Sequence, residues 1–176
     1  AVFEEKKVEE MDVMLLVDRF GYAKTVDMST YERNKEAADA ENKYLVKCKN
    51  TGKICLFTDT GNLHTVKVLD LPFGKFRDKG LPIDNVSNFD ASKENIVLIA
   101  SQSELNLYRL IFVTSQSMMK IVDGGEFDVA KRTVAATKLA DDDKVVGVAV
   151  LKEQKNIVLQ TTDGYFLRFP VDEIPE

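Results

Sequence analysis

Short apolar runs alternate with short polar turns along this chain, and four stretches share one design: MLLVDRFGYAKTV, ICLFTDTGNLHTV, LIFVTSQSMMKIV and IVLQTTDGYFLRF. Each is an apolar run, a polar turn, and a second run in which large apolar residues mix with polar ones. The runs are short and rich in Val, Ile, Leu, Phe and Thr, residues that suit a pleated, half-buried surface. Each stretch therefore predicts a β-hairpin. The turn position holds Gly21, Gly61, Ser117 and Gly164. Glycine is expected there because a tight hairpin turn often needs a positive φ, and Ser117 departs from that rule.

The turns are 40, 56 and 47 residues apart, a spacing that suits four-stranded units of propeller type. About ten residues after each turn a second landmark recurs: Thr30-Tyr31, Leu71-Pro72, Phe127 and Ile174-Pro175. Loop-like stretches (RDKGLPIDN, LADDD, LKEQKN) separate the hairpins from further apolar segments at Asn95 to Ser101 and Lys144 to Leu151, which would complete each unit. Tyr31 to Lys47, rich in Ala, Glu and Lys, reads as a long loop with helical character. The expectation is one all-β domain over 1–176, an array of about four stacked repeats at roughly 11–50, 51–103, 104–152 and 153–176. The last repeat has only half a unit, so the expectation is an incomplete or open array in which either the chain is cut there or another segment closes it.

Composition narrows the function classes. Hydrophobic residues make up 44% of 176, enough for a core, and two cysteines, Cys48 and Cys55, are too few for a disulfide framework. The first residues are acidic where a signal peptide is basic, and the longest apolar runs are far short of a membrane span. A cytoplasmic protein with no membrane partner is expected. Cys48, Cys55 and His64 lack paired metal-ligand spacing, and the glycines of FGKFRDKG are not followed by Lys-Ser or Lys-Thr, so neither a metal site nor a nucleotide loop is expected. His64, the only histidine, falls where Lys24 and Lys120 fall in other repeats and reads as a basic-position variant, so no catalytic residue is assigned.

The string GNLHTVKVLDLPFGKFRDKGLPIDNV resembles the blade signature of the C-terminal domains of DNA gyrase A and topoisomerase IV A subunits. In that family an F-x-T-x-x-G-x-x hairpin leads through a basic strand to a Leu/Ile-Pro and a basic, Gly-containing loop. GYAKTVDMSTYERN, MMKIVDGGEFDVAKRT and GYFLRFPVDEIPE fit the same frame. The resemblance implies a β-pinwheel, a propeller-like disc whose blades exchange strands and whose rim holds and bends double-stranded DNA without reading its sequence. It also implies the partners: the remainder of the A subunit, which carries the catalytic tyrosine, and the ATPase B subunit. No cofactor is implied for this chain. Strongly wrapping gyrases carry an Arg- and Gly-rich box at the place of Arg33 to Ala40, where this chain has RNKEAADA, which favours a topoisomerase IV-like or divergent gyrase-like role.

Nonspecific DNA binding needs Lys and Arg in an arc that follows phosphates. By repeat position the candidates are Lys24, Lys67, Lys120 and Arg168 in the strand after the turn, Lys75, Arg77 and Lys79 in the second repeat's loop, and Lys131 and Arg132 in the third's. Against this stands a formal net charge of −5, which fits ordinary solvated charges equally well. Tyr22, Tyr165, Phe73 and Phe76 read as core packing or hairpin-end cover, with stacking platforms for single strands as the alternative. A propeller-like protein-interaction domain remains the competing function.

Overall fold

The continuous apolar runs become strands covered on both faces. The computed structural model describes residues 8–152 and, beyond them, the backbone of two strands at 156–160 and 166–170. The chain opens with strands β1 (Asp12–Asp18) and β2 (Tyr22–Asp27), short helices α1 (Met28–Arg33) and α2 (Lys35–Glu41), and strands β3 (Asn42–Lys49), β4 (Lys53–Thr58) and β5 (Asn62–Lys67). β6 (Leu81–Pro82), α3 (Ile83–Val86), β7 (Ile96–Ser101) and α4 (Gln102–Leu105) follow. Then come β8 (Arg109–Thr114), β9 (Met119–Asp123), β10 (Thr133–Ala135), β11 (Val145–Leu151), β12 (Asn156–Gln160) and β13 (Phe166–Pro170).

The strands form open sheets in the orders β3-β1-β2-β6, β10-β5-β4-β7, β11-β8-β9 and β12-β13. The fold is mostly β, as expected, and each predicted hairpin is an antiparallel strand pair. Two sheets borrow a strand from further along the chain: β6 pairs with β2, and β10 pairs with β5. Gly21 and Gly61 turn at φ of 85° and 82°, and Ser117 adopts the same left-handed conformation at 63°. Hairpin geometry thus overrides the side chain's preference at Ser117.

The sheets stack face to face. Val13, Leu15, Val17, Val46 and Cys48 of the first sheet meet Ile54, Leu56, Val66 and Ile99 of the second. Its other face, with Cys55, Phe57, Leu63 and Ala100, meets Leu110, Phe112, Val122 and Val148 of the third. Burial on both faces explains why the runs lack strict alternation. Phe127, the third landmark, enters this second core edge-on to Phe57 at a centroid distance of 5.3 Å. Contacts of that kind add about 0.5–1.5 kcal/mol beyond area burial.

The stretch Tyr31 to Lys47 differs from its expected loop. Only 28–41 is helical, broken at Asn34, and the segment beyond is β3, which pairs along the whole of β1. From Val46 to Lys49 apolar and polar residues alternate with strand period, burying Val46 and Cys48 on one face. Asp27 caps α1 by accepting from Thr30 N at 2.6 Å, a bond that holds its carboxyl below the usual carboxylate range. RDKGLPIDN is likewise more than a loop, since it contains β6 and the start of α3.

β7 lies beside both β3 and β11, so these three edges gather on one side of the stack. β6 and β10 occupy the opposite edges of their sheets, and we call that side the outer edge.

Candidate nucleic-acid interface

Five of the predicted basic residues fall into two groups at the outer edge, placed there by one joint built twice. In the first sheet, Thr25 N donates to Pro72 O at 2.8 Å, which docks the loop after β5 against β2. In the second, Thr65 N donates to Arg132 O at 2.9 Å and Thr65 Oγ1 to Lys131 O at 3.1 Å, which docks the segment before β10 against β5. Thr25 and Thr65 each lie four residues after the turn glycine, so the same hairpin position anchors both joints.

The first joint carries Lys75, Arg77 and Lys79, all exposed. The Asp78 carboxylate accepts from Lys75 N at 2.9 Å and so serves the loop's own backbone. Lys24 acts behind this loop: its ammonium donates to the carbonyls of Phe76 and Asp78, the latter at 2.8 Å, and sits 5.0 Å from the Phe76 ring. Its charge is spent bracing the loop that presents the other three. Phe76 packs against the cluster of Met14, Leu16, Val26 and Ala38, and Phe73 is exposed.

The second joint carries Lys131 and Arg132 and opens a cleft of about 300 Å³ lined by Lys53, Thr65, Lys67, Asp70, Ala130 and Arg132. Lys53 and Lys67 stand directly opposite each other on β4 and β5. Like charges so placed repel, and three cations here face a single carboxylate. Lys53 escaped the sequence reading; counting outward from Gly61 along the hairpin would have found it as the partner of Lys67. The same register places Val13 against Asp27 and Arg109 against Asp123 in the neighbouring sheets, so the paired lysines belong to the second sheet.

The remaining candidates separate. Lys24, His64 and Lys120 share one register position, opposite Leu16, Leu56 and Phe112, whereas Lys67 lies further along its strand. Lys120 is exposed on β9. Arg168 is on β13, and its side chain, like all of Tyr165, Gly164, Ile174 and Pro175, lies outside the described residues.

His64 is buried rather than a surface cation. Its Nε2 meets Glu94 Oε1 at 2.5 Å and Oε2 at 3.1 Å, and its Nδ1 meets Thr133 Oγ1 at 2.9 Å. The network ties β5 to the exchanged strand β10 and to the loop before β7. Cys48 and Cys55 lie in different cores on opposite sides of the second sheet. Burial pushes their thiols up to about 11 and about 12, so neither is a thiolate nucleophile near neutral pH. Among the described residues no group of three His, Cys, Asp or Glu side chains is arranged to hold a metal, and no helix is long and apolar enough to cross a membrane.

The model of the DNA gyrase C-terminal domain, beta-propeller, matches residues 108–152 and 155–176. The DNA gyrase A subunit of Streptococcus pyogenes serotype M3 (strain ATCC BAA-595 / MGAS315) is 25% identical over 178 residues, covering 94% of this chain and 22% of that protein. The DNA gyrase A subunit of Rickettsia prowazekii (strain Madrid E) is 25% identical over 185 residues, covering 97% and 20%. In structure, the C-terminal domain of DNA topoisomerase IV superposes with a TM-score of 0.79 at 24% identity, over 93% of this chain and 53% of that one. The chain is similar to DNA gyrase A subunits and shares the fold of the topoisomerase IV C-terminal domain. The E. coli ParC C-terminal domain shares the fold as well, with a TM-score of 0.74 at 16% identity over 94% of this chain and 67% of that one. The chain spans about a fifth of the length of the curated gyrase subunits it matches.

Proposed function

We propose that this chain is a non-catalytic DNA-holding domain that binds duplex along its outer edge and bends it, without reading sequence, for a type IIA topoisomerase. The carrying observation is the repeated joint, which sets Lys75, Arg77 and Lys79 on one sheet edge and Lys131 and Arg132 on the next, with Lys53 and Lys67 beside Arg132. Successive cationic edges suit a phosphate backbone that passes from sheet to sheet. The helices described have at most seven residues and support no base-reading element. Bending a duplex costs on the order of 1–6 kcal/mol, which several such contacts offset. Lys120 and Arg168 would extend the path, and Lys24 would support it from behind.

The place of a wrapping box is occupied by the end of α1 and by α2, whose Ala38 is buried against the first sheet. That packing supports a topoisomerase IV-like or divergent gyrase-like role, in a cytoplasmic enzyme completed by the ATPase B subunit together with the catalytic part of the A subunit. The test is a comparison of variants on a duplex of roughly 100 base pairs. Changing Lys53, Lys67 and Arg132 together to Ala should lower the magnitude of the log affinity against log salt slope by about 3, because about three phosphate contacts are lost. Changing Lys47 and Lys49 on β3, at the opposite edge, should leave it unaltered. Equal effects of the two sets would reject the outer-edge assignment, and no duplex binding at all would leave a protein-interaction domain.

A further inference from the structure

Phe20 is 74% exposed at the tip of the β1–β2 hairpin, where the corresponding residues of the next two hairpins are Thr60 and Gln116. An isolated exposed aromatic is ordinary on a mobile loop, but this one is held. Asp18 Oδ1 accepts from Phe20 N at 2.9 Å and from Tyr22 N at 3.0 Å, and Gly21 N donates to Asp18 O at 3.1 Å. The exchanged strand fixes the tip from the other side: Ile83 N donates to Gly21 O at 2.8 Å, and Tyr22 stands opposite Pro82.

Each ring at the tip carries a cation. The Arg19 guanidinium lies 5.0 Å from the centroid of Phe20, and the Lys79 ammonium 4.6 Å from that of Tyr22. Aromatic faces beside cations on a rigid support are what a nucleic-acid strand with free bases requires: a base stacks on the ring and the neighbouring phosphate meets the charge. A paired duplex cannot offer its base faces. We propose that the β1–β2 tip, with Phe20 and Arg19 at its centre and Tyr22 and Lys79 beside it, is a stacking site for unpaired bases of a DNA strand, adjoining the duplex-holding outer edge and sharing Lys79 with it. The inference rests on the reading that this chain meets DNA. It adds a substrate class, the unpaired strand of underwound DNA, and the site is sequence-tolerant because every base has a face to stack.

The chain contains no tryptophan, so Phe20→Trp places a single indole at the tip. Titrating that variant with an oligothymidylate of about eight nucleotides should quench its fluorescence to saturation, whereas an abasic deoxyribose-phosphate oligomer of equal length should not. In parallel, Phe20→Ala should weaken binding of the labelled oligothymidylate by about tenfold while duplex affinity and its salt dependence stay as in the original chain. Equal quenching by the abasic oligomer, or single-strand affinity unchanged in Phe20→Ala, overturns the stacking site while leaving duplex binding standing. Loss of both duplex and single-strand binding in the original chain overturns the DNA reading itself.

Discussion

At the residue scale, one strand position does three different jobs. Lys24 braces a loop through its carbonyls, Lys120 faces solvent, and His64 is buried with Glu94. The surroundings decide: a residue opposite a buried leucine or phenylalanine stays polar only where solvent or hydrogen-bond partners reach it. His64 finds both partners in Glu94 and Thr133, and the described residues leave no buried side-chain polar atom unpaired. Glu94→Ala should therefore destabilise the chain by about 1–3 kcal/mol, because it strands a buried ring nitrogen. Thermal unfolding should show a fall of about 2–12 °C, and a midpoint unchanged within a degree would contradict this role. Sequence position correctly grouped Lys24, His64 and Lys120 but could not separate their roles. Those depend on Phe76, Asp78 and Glu94, which lie tens of residues away in the chain.

At the element scale, hairpins were legible because turn and strands are local: an apolar run, a turn residue able to take positive φ, and a second run. Even Ser117 proved to hold that conformation. β3 was hidden by the Ala- and Glu-rich stretch before it, although VKCK alternates with strand period. β6 and β10, of two and three residues, carry no period at all, and their pairing with β2 and β5 is a long-range choice that no local pattern records. Gly80 shows how tight that choice is. It sits at φ 81°, and a Cβ there would run into the carbonyl of Ala23 on β2. Gly80→Ala should push β6 off its sheet and carry Lys75, Arg77 and Lys79 with it. Duplex affinity should then fall together with thermal stability; lost stability with full DNA affinity would show that the loop's position does not matter for binding.

At the scale of the whole molecule, the net charge of −5 argues against a polyanionic partner only if charge is spread evenly. It is not: four Lys or Arg against two Asp lie between His64 and Gly80, while acidic residues crowd Glu4 to Asp12 and Asp141 to Asp143. Asp143 has an internal duty, accepting from Ser115 Oγ at 2.7 Å and Gln116 N at 3.1 Å, and Asp12 pairs with Lys49 at 2.9 Å. Among the described residues, Asp70 is the one carboxylate that lines the second-sheet cleft with its three cations. The measurement that tests the central claim most directly is binding of the unaltered chain to a long linear duplex across a salt series from low to physiological ionic strength. The account predicts a steep linear fall of log affinity with log salt, with a slope of about −4 to −7 from some five to seven phosphate contacts. A flat dependence, or no binding at the lowest salt, would contradict it.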